Sequence, residues 1–479
     1  MSPSFLWYDL ETFGRDPRRS RIAQFAAIRT DLELNQIGEA ISFFCQPALD
    51  LLPSPEATLI TGITPQQARR DGLREAEFFA RVHEELAQPR SCAVGYNSIR
   101  FDDEFIRYGL YRNFHDAYER EWKDGNSRWD LLDVMRLMRA LRPEGMEWPL
   151  REDGAPSFKL EHLAKANGTR EGEAHEALSD VRAMLGLARR MRAAQPRLWD
   201  YALQMRDKRH VGGLLDTVAM TPVLHISSRY PASRHCAALV LPLARHPRMD
   251  TRVIACDLDE EPDGLLALDA ESIADRLYTP QADLPEGERR IGLKEIHTNK
   301  CPMVLPLAHL RAADLERLGI DPVLAQARAA RLRAAPGLAE KVRRVFAGES
   351  HRDPADVDAA LYDGFIGDGD KRAFARIRSS APAQLRAFAA ELKDPRLPEL
   401  LLRYRARNWP ESLDAGERAH WNAYRARRLH SDAGLSEYHF DSYRERIAAL
   451  RIEHEVGPAQ ALLDALEDWG RQLEADMAN

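Results

Sequence analysis

Four carboxylates and one histidine in the first 180 residues stand out by type and spacing. They are Asp9 and Glu11 in an apolar run, Asp102, and the pair His175 and Asp180. Residues two apart on a β-strand point to the same face, so Asp9 and Glu11 direct two acids at one point. Buried like charges are unfavourable unless cations neutralise them, and hard divalent cations such as Mg²⁺ and Mn²⁺ prefer oxygen ligands. The pattern therefore predicts a divalent metal site.

The order and spacing of these residues resemble those of the DEDDh 3′→5′ exonucleases. The pattern reads Asp-Leu-Glu-Thr-Phe-Gly from residue 9, then Asn-x-x-x-Phe-Asp ending at 102, then His-x-x-x-x-Asp from 175 to 180. Further segments are similar to the bacterial exonuclease I family, so that the resemblance covers nearly the whole chain. These segments are residues 59–66, 126–134, 157–168, 195–198, 297–302 and 404–408.

The resemblance implies a site with two Mg²⁺ ions, for which Mn²⁺ can substitute. Asp9, Glu11 and Asp180 would hold one ion, and Asp9 and Asp102 the other. Four carboxylates carry about −4 and two Mg²⁺ ions about +4, so such a site is neutral before a phosphodiester enters. An imidazole with an ordinary pKa of about 6.5 suits His175 to accept a proton from the attacking water near neutral pH. Asp102 is preferred to the acids that follow it because it comes directly after a phenylalanine, as in the family pattern.

Aromatic and basic residues alternate between residues 100 and 142, which is one way to bind a single strand by stacking and phosphate contact. The same segment holds several acids, and aromatic residues at helical spacing often pack a core instead. The resemblance to exonuclease I also assigns substrate contact to Glu11 and favours particular cationic and aromatic positions, namely Arg107, Tyr118, Trp122, Arg136, Arg142, Phe158 and Lys159. Lys159 departs from the family, which commonly has arginine there. A lysine keeps the charge but loses the bidentate fork.

Residues 325–344 carry six basic residues and one acid within a chain of net charge −7. One interpretation is a solvated helical face. The other follows from the resemblance, because exonuclease I proteins dock the acidic C-terminal tail of single-stranded DNA-binding protein on a basic surface. Guanidinium groups can clamp a terminal carboxylate, which makes Arg331, Arg333 and Arg344 the candidates.

Composition limits the class of protein, the number of domains and the compartment. The chain has 479 residues, of which 44% are hydrophobic and 30% charged, as is typical of a soluble protein with two or three domains. The net charge does not indicate nucleic-acid binding, so any such surface must be local. The five cysteines lie far apart without a Cys-x-x-Cys pair, which fits a reducing compartment. No stretch is apolar enough to span a bilayer, so we expect a cytosolic protein. We also expect a monomer.

The elements that must position the site are those of an α/β multidomain protein. Alternating apolar residues predict strands over 5–10, 22–30 and 37–46, and a further strand over 92–96. Thr64 followed by proline predicts a helix start, and a helix is predicted over 176–193. Short β-type runs follow between 220 and 310, and the chain beyond 352 has helical spacing.

The resemblance names the three parts and implies their activity. It predicts a ribonuclease H-like exonuclease domain over 1–193, an SH3-like β-rich domain over 196–350 and a helical domain over 352–475. The implied activity is Mg²⁺-dependent release of 5′-mononucleotides from the 3′ end of single-stranded DNA, in repair and recombination. Alternatives are a proofreading or RNA-trimming DEDDh exonuclease, which needs little beyond the first 190 residues, and a DNA-binding scaffold with an inactive site.

Overall fold

A computed structural model describes residues 2–170, 176–348, 355–454 and 456–478. Within these residues the strands are β1 Ser4–Thr12, β2 Ile22–Thr30, β3 Ile41–Phe44, β4 Ser91–Gly95, β5 Ser127–Asp130, β6 Val223–Ile226, β7 Ala237–Arg245, β8 Arg252–Asp257, β9 Leu293–His297 and β10 Met303–Pro306. The α-helices are α1 Pro55–Thr61, α2 Pro65–Asp71, α3 Glu75–Leu86, α4 Asp102–Arg112, α5 Leu131–Leu141, α6 Leu160–Ala166, α7 Ala177–Ala194, α8 Pro196–Gln204, α9 Lys208–Leu214, α10 Asp263–Ala267, α11 Ala270–Tyr278, α12 Ala312–Leu318, α13 Pro322–Ala334, α14 Leu338–Val345, α15 Asp368–Ser379, α16 Leu397–Asn408, α17 Ala415–His430, α18 Phe440–Glu453 and α19 Pro458–Ala478.

The chain separates into two units. One holds residues 1–127, 170–185 and 352–479, and the other holds residues 128–169 and 186–351. All five cysteines are buried free thiols. None of the helices in the described residues combines the length and the hydropathy that a membrane-spanning segment needs.

The first unit is built on a mixed sheet in which strands follow the order β3-β2-β1-β4. The first three form an antiparallel meander, and β4 pairs parallel to β1. The strands predicted over 5–10, 22–30, 37–46 and 92–96 are thereby confirmed. Strand β1 is buried along almost its whole length, as expected where both faces of a sheet are covered, and its Leu6, Tyr8 and Leu10 side chains pack in an apolar cluster.

Helix starts in this unit follow the expected capping chemistry. The Thr64 side chain accepts a hydrogen bond from the backbone N–H of Gln67, and Pro65 occupies the first turn of α2. The Ser54 side chain caps α1 in the same way. The predicted helix over 176–193 is also present, as α7.

The second unit contains an antiparallel sheet with the order β10-β6-β7-β8-β9. This sheet confirms the β-rich segment predicted between residues 220 and 310. Its central strand, β7, is buried over eight of its nine residues. A register shift between Pro242 and Ala244 interrupts its pairing with β8, since proline has no N–H to donate.

The described residues from 355 onward are mainly helical, as predicted. Within the first unit, α18 and α19 pack an apolar cluster that includes Leu52 from the N-terminal part. The indole N–H of Trp469 donates to the carbonyl of Leu51 at 3.0 Å. The segment that follows β3 and the C-terminal helices of this unit therefore pack against each other.

A buried ion-pair network also joins these two parts of the first unit. The Arg407 guanidinium donates to both carboxylate oxygens of Asp50 at 3.2 and 2.9 Å, and it also pairs with Asp358. All three side chains are at most 2% exposed. Burial would raise the pKa of Asp50, but the guanidinium groups of Arg407 and Arg428 hold that pKa below its ordinary value. Both acids therefore stay ionised and paired in the core.

Removal of the shared guanidinium should strongly destabilise the protein. Arg407→Met keeps much of the side-chain volume but leaves two buried carboxylates without their main partner, which should cost ~3–5 kcal/mol of unfolding free energy. Urea unfolding followed by circular dichroism measures this loss. The matched control is Arg70→Met, whose partner Asp71 is also exposed, and which should cost under ~1 kcal/mol. Equal losses in the two variants would contradict the importance of the network.

Candidate metal centre and active site

Strand β1 presents Asp9 and Glu11 from its second half. Their backbones pair with Ala26 and Gln24 of β2, and the register shifts between Glu11 and Thr12. The carboxylates of Asp9, Glu11 and Asp180 offer oxygen atoms that all lie within 4.8 Å of one another. The two acids of β1 thus converge with an acid from a distant part of the chain, as predicted.

Asp180 comes from the first turn of α7. One of its oxygens accepts a hydrogen bond from the Arg170 guanidinium at 2.5 Å, and both side chains are largely buried. Arg170 was not among the residues predicted from sequence. A basic residue ten positions before the last acid is a weak signal by itself, and only the fold shows that it orients Asp180.

Asp102 lies at the start of α4 and is 4% exposed. Its charge raises the pKa of both Asp9 and Glu11, so it lies within electrostatic range of them, although the group whose oxygens lie within 4.8 Å of one another is Asp9, Glu11 and Asp180. The next residue, Asp103, instead accepts hydrogen bonds from the Tyr8 hydroxyl and the Arg120 guanidinium at 2.9 and 2.5 Å. The structure therefore separates two adjacent acids into one that joins the acidic cluster and one that is neutralised within the protein.

Glu104, the third acid of this run, also has protein partners. It accepts a hydrogen bond from Arg107 at 2.8 Å and another from the Tyr362 hydroxyl at 2.6 Å. The choice of Asp102 among the three acids therefore agrees with their surroundings.

Burial and mutual repulsion among the acids dominate the electrostatics of Asp9 and Glu11. Burial raises the pKa of Asp9 well above its ordinary range, and the charges of Asp102, Glu11 and Asp180 add to that rise. Burial, followed by the charges of Asp180 and Asp102, raises the pKa of Glu11 to about 8. A divalent cation would reverse both effects by favouring the ionised carboxylates. The donor set of clustered carboxylate oxygens fits a hard divalent ion.

His175, the predicted general base, lies outside the described residues. The predicted site residue nearest to it within the described part of the chain is Asp180, five positions later.

The predicted substrate contacts of the first unit differ in exposure. The Arg107 guanidinium lies between Glu104 and Glu121 and is 5.4 Å from the centre of the Tyr118 ring. Tyr118 packs partly against an apolar cluster of the helical region. Trp122 is 64% exposed, so its ring is accessible for stacking.

The substrate contacts predicted in the second unit also differ in exposure. Arg136 pairs with Asp133 and lies 5.7 Å from the centre of the Phe158 ring. Arg142 pairs with Asp314 at 2.5 Å. The side chain of Lys159 is 70% exposed, with its nearest acid 3.4 Å away, so its ammonium group remains accessible.

The predicted partner-binding arginines also lie in the second unit. Arg331 forms ion pairs with Asp263 and Glu261, and Arg333 donates to the carbonyl of Met220. Arg344 is exposed near the end of α14.

Three family models match successive parts of the chain. They describe an exonuclease over residues 6–188, an exonuclease I SH3-like domain over 206–348 and an exonuclease I C-terminal domain over 355–473. The exodeoxyribonuclease I of Escherichia coli K12 is 46% identical over 423 residues, covering 88% of this chain and 89% of the relative. The predicted fold class, with a mixed-sheet exonuclease domain, an SH3-like domain and a helical domain, is confirmed.

Solved structures agree over almost the whole length. Exonuclease I from Methylocaldum szegediense is 48% identical with a TM-score of 0.93, covering 98% of this chain and 99% of that one. E. coli exonuclease I in complex with a dA16 oligonucleotide is 42% identical with a TM-score of 0.93, covering 98% and 100%. E. coli exonuclease I has also been solved as a zinc-bound complex with single-stranded DNA. An SSB/exonuclease I structure with an inhibitor is 41% identical to this chain with a TM-score of 0.90. By contrast, an oligoribonuclease from Streptomyces avermitilis matches 22% of this chain at 29% identity.

The raised pKa of Glu11 makes the stability of the metal-free protein depend on pH. Because this pKa rises from 4.5 to about 8 on folding, the contribution of Glu11 to the stability of the metal-free protein is fully present below pH 4.5. This contribution is lost as the pH rises toward about 8. Thermal unfolding in EDTA should show this decline, and Glu11→Gln should reduce it. A divalent cation such as Mg²⁺ should raise the melting temperature more at about pH 8 than at about pH 5. A pH-independent cation effect would contradict the assignment of this cluster.

Proposed function

The chain belongs to the exodeoxyribonuclease I family and is a 3′→5′ exodeoxyribonuclease, and we propose that it releases 5′-mononucleotides from single-stranded DNA. The observation that carries this proposal is the convergence of Asp9, Glu11 and Asp180, with Asp102 beside them. The scaffold alternative does not account for this cluster. The RNA-trimming alternative accounts for a small part of the chain, because the similarity to oligoribonuclease covers only 22% of it.

The proposed metal is Mg²⁺, as two ions for which Mn²⁺ can substitute. Asp9, Glu11 and Asp180 would hold one ion, and Asp9 and Asp102 the second. When bound, such ions supply Lewis-acid stabilisation of the charge that develops on phosphate oxygens. The contribution of the chain is to hold the acids together before substrate arrives, with Arg170 fixing the orientation of Asp180.

His175 is proposed as the general base. An imidazole nitrogen would take the proton of the attacking water as the bond to phosphorus forms, and the 3′-oxygen of the preceding nucleotide would leave. The ordinary pKa of histidine suits this role near neutral pH.

We propose that the strand is held by the predicted aromatic and cationic residues in two ways. Trp122 and Lys159 are exposed and would contact the strand directly. Glu11, Arg107, Tyr118, Arg136, Arg142 and Phe158 complete the proposed set. Arg107 and Arg142 are engaged by acids, so they would need to exchange an ion pair for a phosphate.

The proposed protein partner is the acidic tail of single-stranded DNA-binding protein, which a solved SSB/exonuclease I structure 41% identical to this chain supports. Arg344 is the most accessible of the three candidates, since Arg331 is already paired with acids and Arg333 with a carbonyl. We further propose a cytosolic monomer acting in DNA repair, with domains over 1–193, 196–350 and 352–475.

The test of the function is degradation of end-labelled single-stranded DNA, with blunt duplex DNA and RNA as comparisons. Single-stranded DNA should be shortened from its 3′ end with Mg²⁺ and left intact with EDTA. Asp9→Ala and Asp180→Ala should each abolish hydrolysis yet keep DNA binding in a mobility-shift assay, because each removes a metal ligand and no phosphate contact. Turnover within about tenfold of wild type in either variant would refute the metal assignment. Faster degradation of RNA would favour the RNA-trimming alternative.

His175→Ala should keep cation binding but slow hydrolysis by about 10²–10⁴, the usual contribution of a general base. The pH–rate profile of the variant should also lose the limb that corresponds to deprotonation of the base. An unchanged rate and an unchanged profile would remove His175 from the mechanism.

A further inference from the structure

The half of β1 that carries the acids has fewer strand partners than the other half. Pairing with β4 covers only Ser4–Trp7, whereas pairing with β2 continues to Thr12. The register shift between Glu11 and Thr12 then disturbs the ladder directly after the second acid. The position of the Glu11 carboxylate therefore depends on what holds the chain after the strand ends.

The turn that follows β1 is held by a residue from far along the chain. The backbone N–H groups of Arg15 and Asp16 both donate to Oε1 of Glu437, at 2.8 and 2.7 Å. Glu437 lies in the connection between α17 and α18, in the same unit as β1. The Thr12 hydroxyl donates to the carbonyl of Gly14 at 2.7 Å, which links this turn back to the strand.

Gly14 leaves room for this carboxylate. A Cβ atom at residue 14 would lie 2.6 Å from both carboxylate oxygens of Glu437, closer than real Cβ atoms approach, so the end of the Glu437 side chain would have to move. The φ angle of Gly14 is not in the left-handed region, so any effect of a substitution here comes from this contact and not from backbone strain. The Glu437 carboxylate thus packs directly against Gly14.

Two buried arginines hold the rest of the same turn. Arg428 donates to the carbonyl of Arg19 at 2.6 Å, and Arg112 donates to the carbonyl of Pro17 at 3.0 Å. Arg428 and Glu437 both come from the C-terminal helical region. This region therefore fixes residues 14–19 at both ends, immediately after the catalytic strand.

We propose that Glu437 is a positioning residue for the exonuclease reaction: by fixing the turn at residues 14–16 it sets the Glu11 end of the metal site. This inference rests on the proposed function of the acidic cluster. It assigns to the helical domain a part in catalysis in addition to any role in holding DNA. A misplacement of catalytic groups by about 1 Å can cost on the order of 100-fold in rate, so loss of this anchor should be measurable.

The test compares Glu437→Ala, Glu437→Gln, Gly14→Ala and the double variant Gly14→Ala/Glu437→Ala in the full chain. Steady-state hydrolysis of single-stranded DNA gives kcat and KM, and calorimetry with Mn²⁺ alone gives cation affinity without turnover. Glu437→Ala should lower kcat and weaken Mn²⁺ binding, each about tenfold or more, with KM within about twofold. Glu437→Gln should remain near wild type, because its amide oxygen can accept the same two hydrogen bonds.

The double variant distinguishes positioning from general damage. Gly14→Ala should be at least as impaired as Glu437→Ala because its methyl group clashes with the carboxylate, and removal of that carboxylate should rescue it to the level of Glu437→Ala. The matched control is Glu445→Ala, an exposed acid on α18, which should behave as wild type. Melting temperatures accompany every variant.

Three results would overturn the proposal. They are an unchanged kcat and Mn²⁺ affinity in Glu437→Ala, a lowered melting temperature in that variant without loss of either, and a loss in the double variant that clearly exceeds the loss in Glu437→Ala. Failure of the proposed function would look different, because wild type itself would then fail to degrade single-stranded DNA with Mg²⁺.

Discussion

Electrostatic repulsion among carboxylates in a partly buried site is the constraint on which the rest of the structure depends. Asp9 and Glu11 come from one strand, Asp102 from the start of α4 and Asp180 from the first turn of α7, and burial raises the pKa of both strand acids. Such a cluster opposes folding unless the surrounding framework is strong enough to hold it. The central position of β1 in a covered sheet supplies that framework. The acids are retained despite their repulsion because together they can bind a divalent cation.

Buried acids outside this cluster are neutralised by arginine side chains and not by a metal ion. Asp103 is neutralised by Arg120, and Asp50 and Asp358 share Arg407. These carboxylates each accept from at least one guanidinium group. The metal site differs because its acids lie close enough to raise the pKa of Asp9 and Glu11, which concentrates negative charge at one place.

Sequence reasoning located the parts of the site that depend on local pattern. The strand pair Asp9 and Glu11, the cap at Thr64 and the strands of the meander follow from periodicity and capping rules. Resemblance to a family supplied Asp102 and Asp180. Arg170 and Glu437 were not predicted, because their importance arises from contacts that only the fold creates. Glu437 in particular lies in an irregular connection with no motif, and its partner atoms belong to the backbone.

The anchoring of the turn after β1 has a consequence for biosynthesis. Glu437 follows Arg15 by 422 residues, and Arg407 follows Asp50 by 357. A ribosome adds roughly 5–20 residues per second, so on the order of tens of seconds separate the emergence of the acidic strand from that of its anchor. During this interval the nascent chain carries the metal ligands without the groups that fix them. If Glu437 positions the metal site as proposed, full nuclease activity would be delayed until the residues around 437 have left the ribosome and docked.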